Sequence, residues 1–323
     1  LTLLVASSLV MTGQETEEKK FTLSGSVDTY FRGNISGGNF DTAPGSSFAN
    51  QPGFALGMIN LVAAYEGEKV GFVADMVYGP RGNDAVFGSP TGSSEVINQL
   101  YAYWNVSEKV KLTIGNFNTF LGYEVISPTA NFNYSTSYLF SYGPFSHTGI
   151  KADFTLSENT SLMLAIMNPT DATEFNPTGS YAFGAQLGFS GQYINFLLDS
   201  GAYEIDFTGG FDVSETFFLG INAAYFSGDD APGFYGAALY PQIATSDSFK
   251  IGLRTEYFVE DGDFGAIGTG VEDSSVFATT LTGNYSIGSL TIIPELRLDS
   301  ASEAAFVGDK ALSSFALAAV YSF

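Results

Sequence analysis

Phe315-Ala-Leu-Ala-Ala-Val-Tyr-Ser-Phe323 is the stretch whose reading decides the fold. Side chains of a strand alternate between two faces, so Phe315, Leu317, Ala319, Tyr321 and Phe323 share one face. Ser314, Ala316, Ala318, Val320 and Ser322 share the other. A soluble sandwich rarely leaves a final strand apolar on one side with nothing following to cover it. A transmembrane β-barrel requires that arrangement, because lipid covers the outer face and the last strand pairs with the first. Taken alone, the segment also fits an ordinary sandwich strand. Repetition along the chain decides between them.

The alternation recurs from Phe21 onward. Phe21, Leu23, Val27 and Phe31 face one way, and Ser24, Ser26, Asp28, Tyr30 and Arg32 the other. In Phe249–Val259, Ile251, Leu253 and Tyr257 point out while Lys250, Arg254 and Glu256 point in. In Leu290–Leu298, Ile292, Leu296 and Leu298 point out while Glu295, Arg297 and Asp299 point in. In Gly149–Leu156, Ile150, Ala152 and Phe154 point out, with Lys151 and Asp153 inward. Short polar turns separate these strands in pairs: Glu66–Lys69, Ser107–Lys109, Ser157–Asn159, Ser190–Gln192, Asp212–Glu215, Thr245–Ser248 and Ser286–Ser289. Longer connections fall between them, near residues 33–53, 80–95, 121–147, 169–180, 227–233, 261–275 and 300–310. Short connections at one end and long ones at the other are the asymmetry of outer-membrane barrels. The reading is all-β: a transmembrane antiparallel β-barrel of the outer-membrane type with about 16 strands. Merging the strands around the unusually short link Ser200-Gly-Ala202 would give 14. Tyr65, Tyr78, Trp104, Tyr285 and Tyr321 sit at strand ends, where interfacial aromatic girdles belong.

Composition agrees. The 323 residues include 37 Gly, 18 Tyr and 30 Phe with 14% charged residues, and no apolar run reaches the roughly 18–20 residues of a membrane helix. With no cysteine, disulfides and thiolate metal sites are excluded. Twelve basic against 34 acidic residues give a net charge of −22, which argues against nucleic acid as a partner. The acidic excess suits solvated external loops beside outer-membrane lipid and surface glycolipid. Residues 1–14, apolar and then small, read as a signal-peptide remnant, and residues 15–323 as a single barrel domain.

Leu61-Val-Ala-Ala-Tyr-Glu-Gly67, Ile97-Asn-Gln-Leu-Tyr-Ala-Tyr-Trp104 and Leu112-Thr-Ile-Gly-Asn-Phe117 resemble the β-barrel porin family of Bacteroidetes-type outer membranes. Gly122-Tyr-Glu-Val125, Thr148-Gly-Ile150 and Ala165-Ile-Met-Asn-Pro169 extend the likeness. The terminal Phe323 is similar to the signal read by outer-membrane assembly. The resemblance implies a porin in the bacterial outer membrane, and it implies no catalytic residues.

Enzyme chemistry finds little support. The single histidine, His147, reads as a loop residue near Ser141 and Ser146, without the orienting third group of a hydrolase. Asp229-Asp230 and Glu260-Asp-Gly-Asp263 read as solvated loop charge rather than calcium ligands. No cofactor and no metal is expected. The inward positions carry the chemistry instead. The cations there are Arg32, Lys111, Lys151, Lys250, Arg254 and Arg297; the anions are Asp28, Asp75, Asp153, Asp199, Glu204, Asp206, Glu256, Glu295 and Asp299. These are the candidate pore-lining residues. Arg254–Glu256 and Glu295–Arg297 are candidate cross-strand pairs. A dry interior cannot hold so many charges without near-complete pairing, so water is expected to fill it. The acidic excess implies a weak cation preference.

The 121–147 connection holds Tyr123, Phe132, Tyr134, Tyr138, Phe140, Tyr142 and Phe145. Exposed, these would form an adhesive patch, so the loop is expected to fold into the lumen. Tyr134, Tyr138 and Phe140 would then line a constriction, with Lys111 and Lys151 holding Glu124 or backbone carbonyls. The function expected is passive diffusion of small hydrophilic solutes or ions. The alternatives are a plugged barrel serving as an accessory subunit beside an outer-membrane partner protein or in a homo-oligomer, and, more remotely, an outer-membrane hydrolase.

Overall fold

The computed structural model describes residues 20–46, 48–86, 92, 95–228 and 231–323. The expected signal segment and Asp229-Asp230 lie outside them. The first strands are β1 (Lys20–Ser36), β2 (Gly53–Glu66), β3 (Val70–Tyr78), β4 (Ile97–Ser107) and β5 (Val110–Asn118). Then come β6 (Ser146–Thr155), β7 (Thr160–Met167), β8 (Ala182–Phe189), β9 (Gln192–Asp199) and β10 (Ala202–Asp212). The series ends with β11 (Phe217–Ser227), β12 (Gly233–Ala244), β13 (Phe249–Asp261), β14 (Ser275–Ile287), β15 (Leu290–Ala301) and β16 (Ala311–Ser322). Two short helices, α1 (Pro80–Ala85) and α2 (Tyr138–Tyr142), lie in the connections after β3 and β5.

The 16 strands close into one barrel in which each pairs antiparallel with its neighbours in sequence. Closure is made by β1 against β16, with Val27 opposite Tyr321 and Phe31 opposite Leu317. Gly25 and Phe323 exchange both backbone hydrogen bonds at 3.0 Å. No strand edge is left for lipid to meet, which a hydrocarbon environment demands. The doubtful link at Ser200 is a genuine turn. Ser200 and Gly201 both have positive φ, 51° and 91°, the conformation of a two-residue hairpin turn whose twist matches its strands. This is why there are 16 strands and not 14.

The period of two separates the wall into two chemistries. Leu317, Tyr321 and Phe323 are exposed on the outside, while Ala316, Ala318 and Val320 are buried inside. The same holds on β15, where Leu296 and Leu298 are exposed outward and Glu295, Arg297 and Asp299 are buried inward. Trp104, Tyr285 and Tyr321 are exposed near the short-turn end and Tyr78 near the long-loop end, so aromatics mark both borders of the apolar band.

Candidate functional site

The connection from β5 to β6 enters the barrel. Tyr134 and Tyr138 are 0% exposed and Phe140 6%. The aromatics of this loop find ring partners inside. Tyr123 stacks on Tyr240 of β12 at 4.3 Å, Tyr134 lies 5.5 Å from Tyr30 of β1, and Phe140 meets Phe48 at 5.6 Å. Wall glycines make room for the rings. A Cβ on Gly252 would sit 2.4 Å from Phe132, on Gly220 2.3 Å from Tyr123, and on Gly184 2.5 Å from Phe120. Each would have to displace the ring it meets.

Irregular backbone inside a barrel needs hydrogen-bond partners that a ladder would otherwise supply. The inward charges supply them. Glu295 accepts from the backbone N–H groups of Tyr134, at 2.9 Å, and Ser135, at 3.2 Å, and from the hydroxyls of Ser135 and Thr282. Glu256 accepts from the N–H groups of Tyr138 and Leu139 at 2.9 and 2.8 Å, satisfying the first turn of α2. The Ser137 hydroxyl caps the same turn, accepting from the Phe140 N–H. Arg254 pairs with Glu124 at 2.7 Å and donates to the Ser135 carbonyl and the Thr280 hydroxyl. Arg297 donates to the Thr136 carbonyl at 2.8 Å and pairs with Asp299 at 2.8 Å. Asp28 accepts from the Tyr134 hydroxyl and, at 3.0 Å, from the Met58 N–H. Burial, with Asp28 alongside, holds the Tyr134 hydroxyl well above the usual phenol range, so it stays a donor.

The remaining inward residues fall into three groups. Asp206 accepts from Asn195 and Asn222, both at 2.6 Å, and from the loop N–H of Gly122 at 3.1 Å. Asp75 is likewise bound by Asn60, Asn98 and Gln99. Arg32 is buried and donates to the Thr42 carbonyl in the β1–β2 connection. By contrast, Lys111, Lys151 and Asp153 are half-buried and Lys250 is exposed. Lys111 lies 4.1 Å over the Tyr103 ring, and Lys151 pairs with Asp153 at 3.3 Å. Glu204 stands apart: it is 4% exposed and no described residue gives it a hydrogen bond or an ion pair.

Several expectations need correction. Neither Lys111 nor Lys151 holds Glu124; Arg254 does. Arg254–Glu256 and Glu295–Arg297 are not the ion pairs, because both glutamates are taken by loop N–H groups. The argument for water rested on unpaired charge, whereas most charge on β13 to β15 is paired through the loop. His147 is a residue of β6, buried, with its Nε2 3.0 Å from the Thr119 hydroxyl and its ring 5.2 Å from Phe120. Glu260 accepts from the Ile267 N–H at 2.8 Å and so braces the β13–β14 connection. Among the described residues no three His, Asp or Glu side chains converge as metal ligands.

Arg81 was missed. It lies at the start of α1, 1% exposed, and donates to the carbonyls of Ile126 and Tyr134 at 2.8 and 2.9 Å. Its position in a connection hid it from a reading that took lumen residues from strands alone. The inward glycines were also passed over, although glycine at an inward strand position is the available signal of close approach.

Residues 20–323 match the family described as "Putative beta-barrel porin-2, OmpL-like". Among solved structures the chain is similar to the outer-membrane channel DcaP of Acinetobacter baumannii, at 14% identity, covering 97% of this chain and 100% of that one with a TM-score of 0.64. It is similar to OmpF of Salmonella typhi at 10% identity, covering 94% and 98%, with a TM-score of 0.65. An anion-selective porin from Comamonas acidovorans matches at 12% identity, covering 95% and 100%, with a TM-score of 0.61. No curated protein matches the chain.

Proposed function

The chain belongs to the beta-barrel porin-2, OmpL-like family, and from that premise we propose that the lumen loop sets the size of its passage. As a porin of this family it is an outer-membrane barrel for passive diffusion of small hydrophilic solutes. The observation that carries the proposal is the loop's attachment by charged side chains of β1, β13 and β15 together with Arg81. Such charge-assisted bonds are short and directional, so they hold the constriction at a fixed place.

The inward residues that the loop leaves partly exposed lie mainly on β5 and β6, namely Lys111, Lys151 and Asp153, with Lys250 near the short-turn end of β13. Near Lys111 and Asp153 a cleft of about 810 Å³ opens at that end. These are the residues we assign to the water path. Adding Arg81 to the inward cations and Glu124 to the inward anions leaves the acidic excess of the whole interior unchanged, whereas the water-path residues are three lysines to one aspartate, so the expected weak cation preference does not follow from them. Outer-membrane lipid meets the outward apolar band, and surface glycolipid meets the long acidic connections.

Replacing residues 130–142 by a short Gly/Ser linker tests the reading. A constriction predicts higher single-channel conductance and a larger solute cut-off from a barrel that still assembles. Unchanged conductance with loss of a co-purifying protein would favour the accessory-subunit reading, which the dense filling around Tyr134 and Tyr138 keeps in play.

A further inference from the structure

At the long-loop end, beside the lumen loop, lies a cavity of about 310 Å³. Its lining is both acidic and aromatic, with Glu204, Asp171 and Asp199 beside Tyr142, Phe226 and Phe264. No lysine, arginine or histidine lines it. The three carboxylates differ in their partners. Asp171 accepts from the N–H groups of Phe145 and Ser146 at 2.9 and 2.8 Å. Asp199 accepts from the Thr170 N–H at 2.7 Å and the Ser200 hydroxyl at 2.9 Å. Glu204 is 4% exposed and has no hydrogen-bond or ion-pair partner among the described residues. Two residues on, Asp206 is held by three donors, so the strand is able to satisfy a buried carboxylate and does so next door.

A buried carboxylate without a partner is expensive. It either takes up a proton or is completed by something outside the chain. We propose that this cavity binds a small organic cation, an alkylammonium group held by Glu204 and faced by the aromatic walls. The chemistry selects this class over others. An anion would meet three carboxylates. An inorganic divalent ion needs several free oxygens converging on one point, but Asp171 and Asp199 are engaged and no such convergence occurs among the described residues. A neutral apolar solute would fit the walls and leave Glu204 unanswered. An organic cation uses both, because aromatic faces attract ammonium groups. Tyr142 and Phe264 stand edge to face at 6.0 Å and Phe226 and Phe264 at 6.1 Å, while Tyr142 stacks on Tyr138 and Phe226 on Phe234, so the three rings form one aromatic cluster at the cavity.

The test is a saturation-transfer NMR titration of the full chain in detergent micelles with tetramethylammonium chloride, sodium chloride holding the ionic strength constant. tert-Butanol serves as the neutral counterpart. The expected result is saturable binding of tetramethylammonium and none of tert-butanol. Glu204→Gln should weaken the cation about tenfold, the scale of losing one charged partner. Phe264→Leu, which keeps the apolar wall and removes a ring face, should weaken it at least about threefold. Absence of saturable cation binding would overturn the proposal, and so would equal binding of tert-butanol or wild-type affinity in Glu204→Gln. If Glu204→Gln does not assemble, Phe264→Leu decides alone, and wild-type affinity there overturns the proposal. Because binding is read in micelles, the outcome is independent of whether the barrel conducts.

Discussion

Arg254→Met isolates the bond between wall and loop. Arg254 is 0% exposed and its guanidinium lies 2.7 Å from Glu124. It also donates to the Ser135 carbonyl and the Thr280 hydroxyl. Methionine fills much of the same space and leaves Glu124 with only the Ser137 N–H, at 2.8 Å, among the partners described here. Removing one member of a buried ion pair costs about 3–5 kcal/mol. The β13 ladders to β12 and β14 use backbone groups and are untouched, so the loss falls on loop docking. At about 1.4 kcal/mol per factor of ten, docking near Glu124 weakens roughly 10²- to 10⁴-fold. Glu256, Glu295 and Arg297 still hold their segments, so the release is local. We expect higher and noisier single-channel conductance and faster proteolysis within the loop, with heat-modifiable barrel unchanged on gels. The double variant Arg254→Met/Glu124→Met removes both charges and should recover most of the docking. Wild-type conductance and proteolysis in the single variant would refute this reasoning. So would a double variant as open as the single one.

Further predictions follow from the same geometry. Leu253→Arg places a charge on the lipid face between two inward neighbours and should destabilise the barrel by about 2–4 kcal/mol if that position lies at the bilayer midplane, read from folding titrations into lipid vesicles. Lys111→Gln with Lys151→Gln removes two half-buried inward cations and should move the reversal potential in a salt gradient toward cation preference; a shift toward anions would exclude these lysines from the water path. Burial pushes the Asp171 carboxyl up to about 6, with Asp199 adding to the rise. A raised value means the protonated form favours the folded state, so this contribution is complete below about pH 4 and disappears as pH rises through about 6. Asp171→Asn should therefore flatten the dependence of Tm on pH between 4 and 7, compared with wild type in the same detergent.

Alternation made the barrel legible because it is a local property. Phe21 to Arg32 and Leu290 to Asp299 each declare two faces within ten or so residues, and lipid outside admits only one assignment of them. The strand count rested on turn chemistry: the sequence left Ser200-Gly-Ala202 open between 16 and 14 strands, and positive φ at Ser200 and Gly201 decided for 16. The partners of the inward charges were not legible. Glu124 meets Arg254 across 130 positions of sequence, and no periodicity reports which of two lysines or two arginines lies opposite a loop residue. Arg81 was hidden for the same reason, being in a connection whose path into the barrel depends on the whole fold. The inward direction of the loop was legible, because its ring count leaves few other resting places.

The inward charge pattern reads best as a mould for the loop backbone. Where the loop turns N–H groups to the wall, at Gly122, Tyr134, Ser135, Tyr138 and Leu139, the wall presents Asp206, Glu295 and Glu256. Where it turns carbonyls outward, at Ile126, Tyr134, Ser135 and Thr136, arginines of α1, β13 and β15 receive them. Acid meets donor and base meets acceptor at each point. A lattice that only stiffened the wall would pair acids with bases on adjacent strands, and Glu256 and Glu295 do not do so. Charge at these positions is therefore committed to placing the loop, and a permeating ion competes poorly for it. The charges we assign to a solute are Lys111, Lys151 and Asp153 on β5 and β6, Lys250 on β13, and Glu204 at the long-loop end. Selectivity and constriction then depend on different residues, so substitutions in one group should alter reversal potential and in the other conductance.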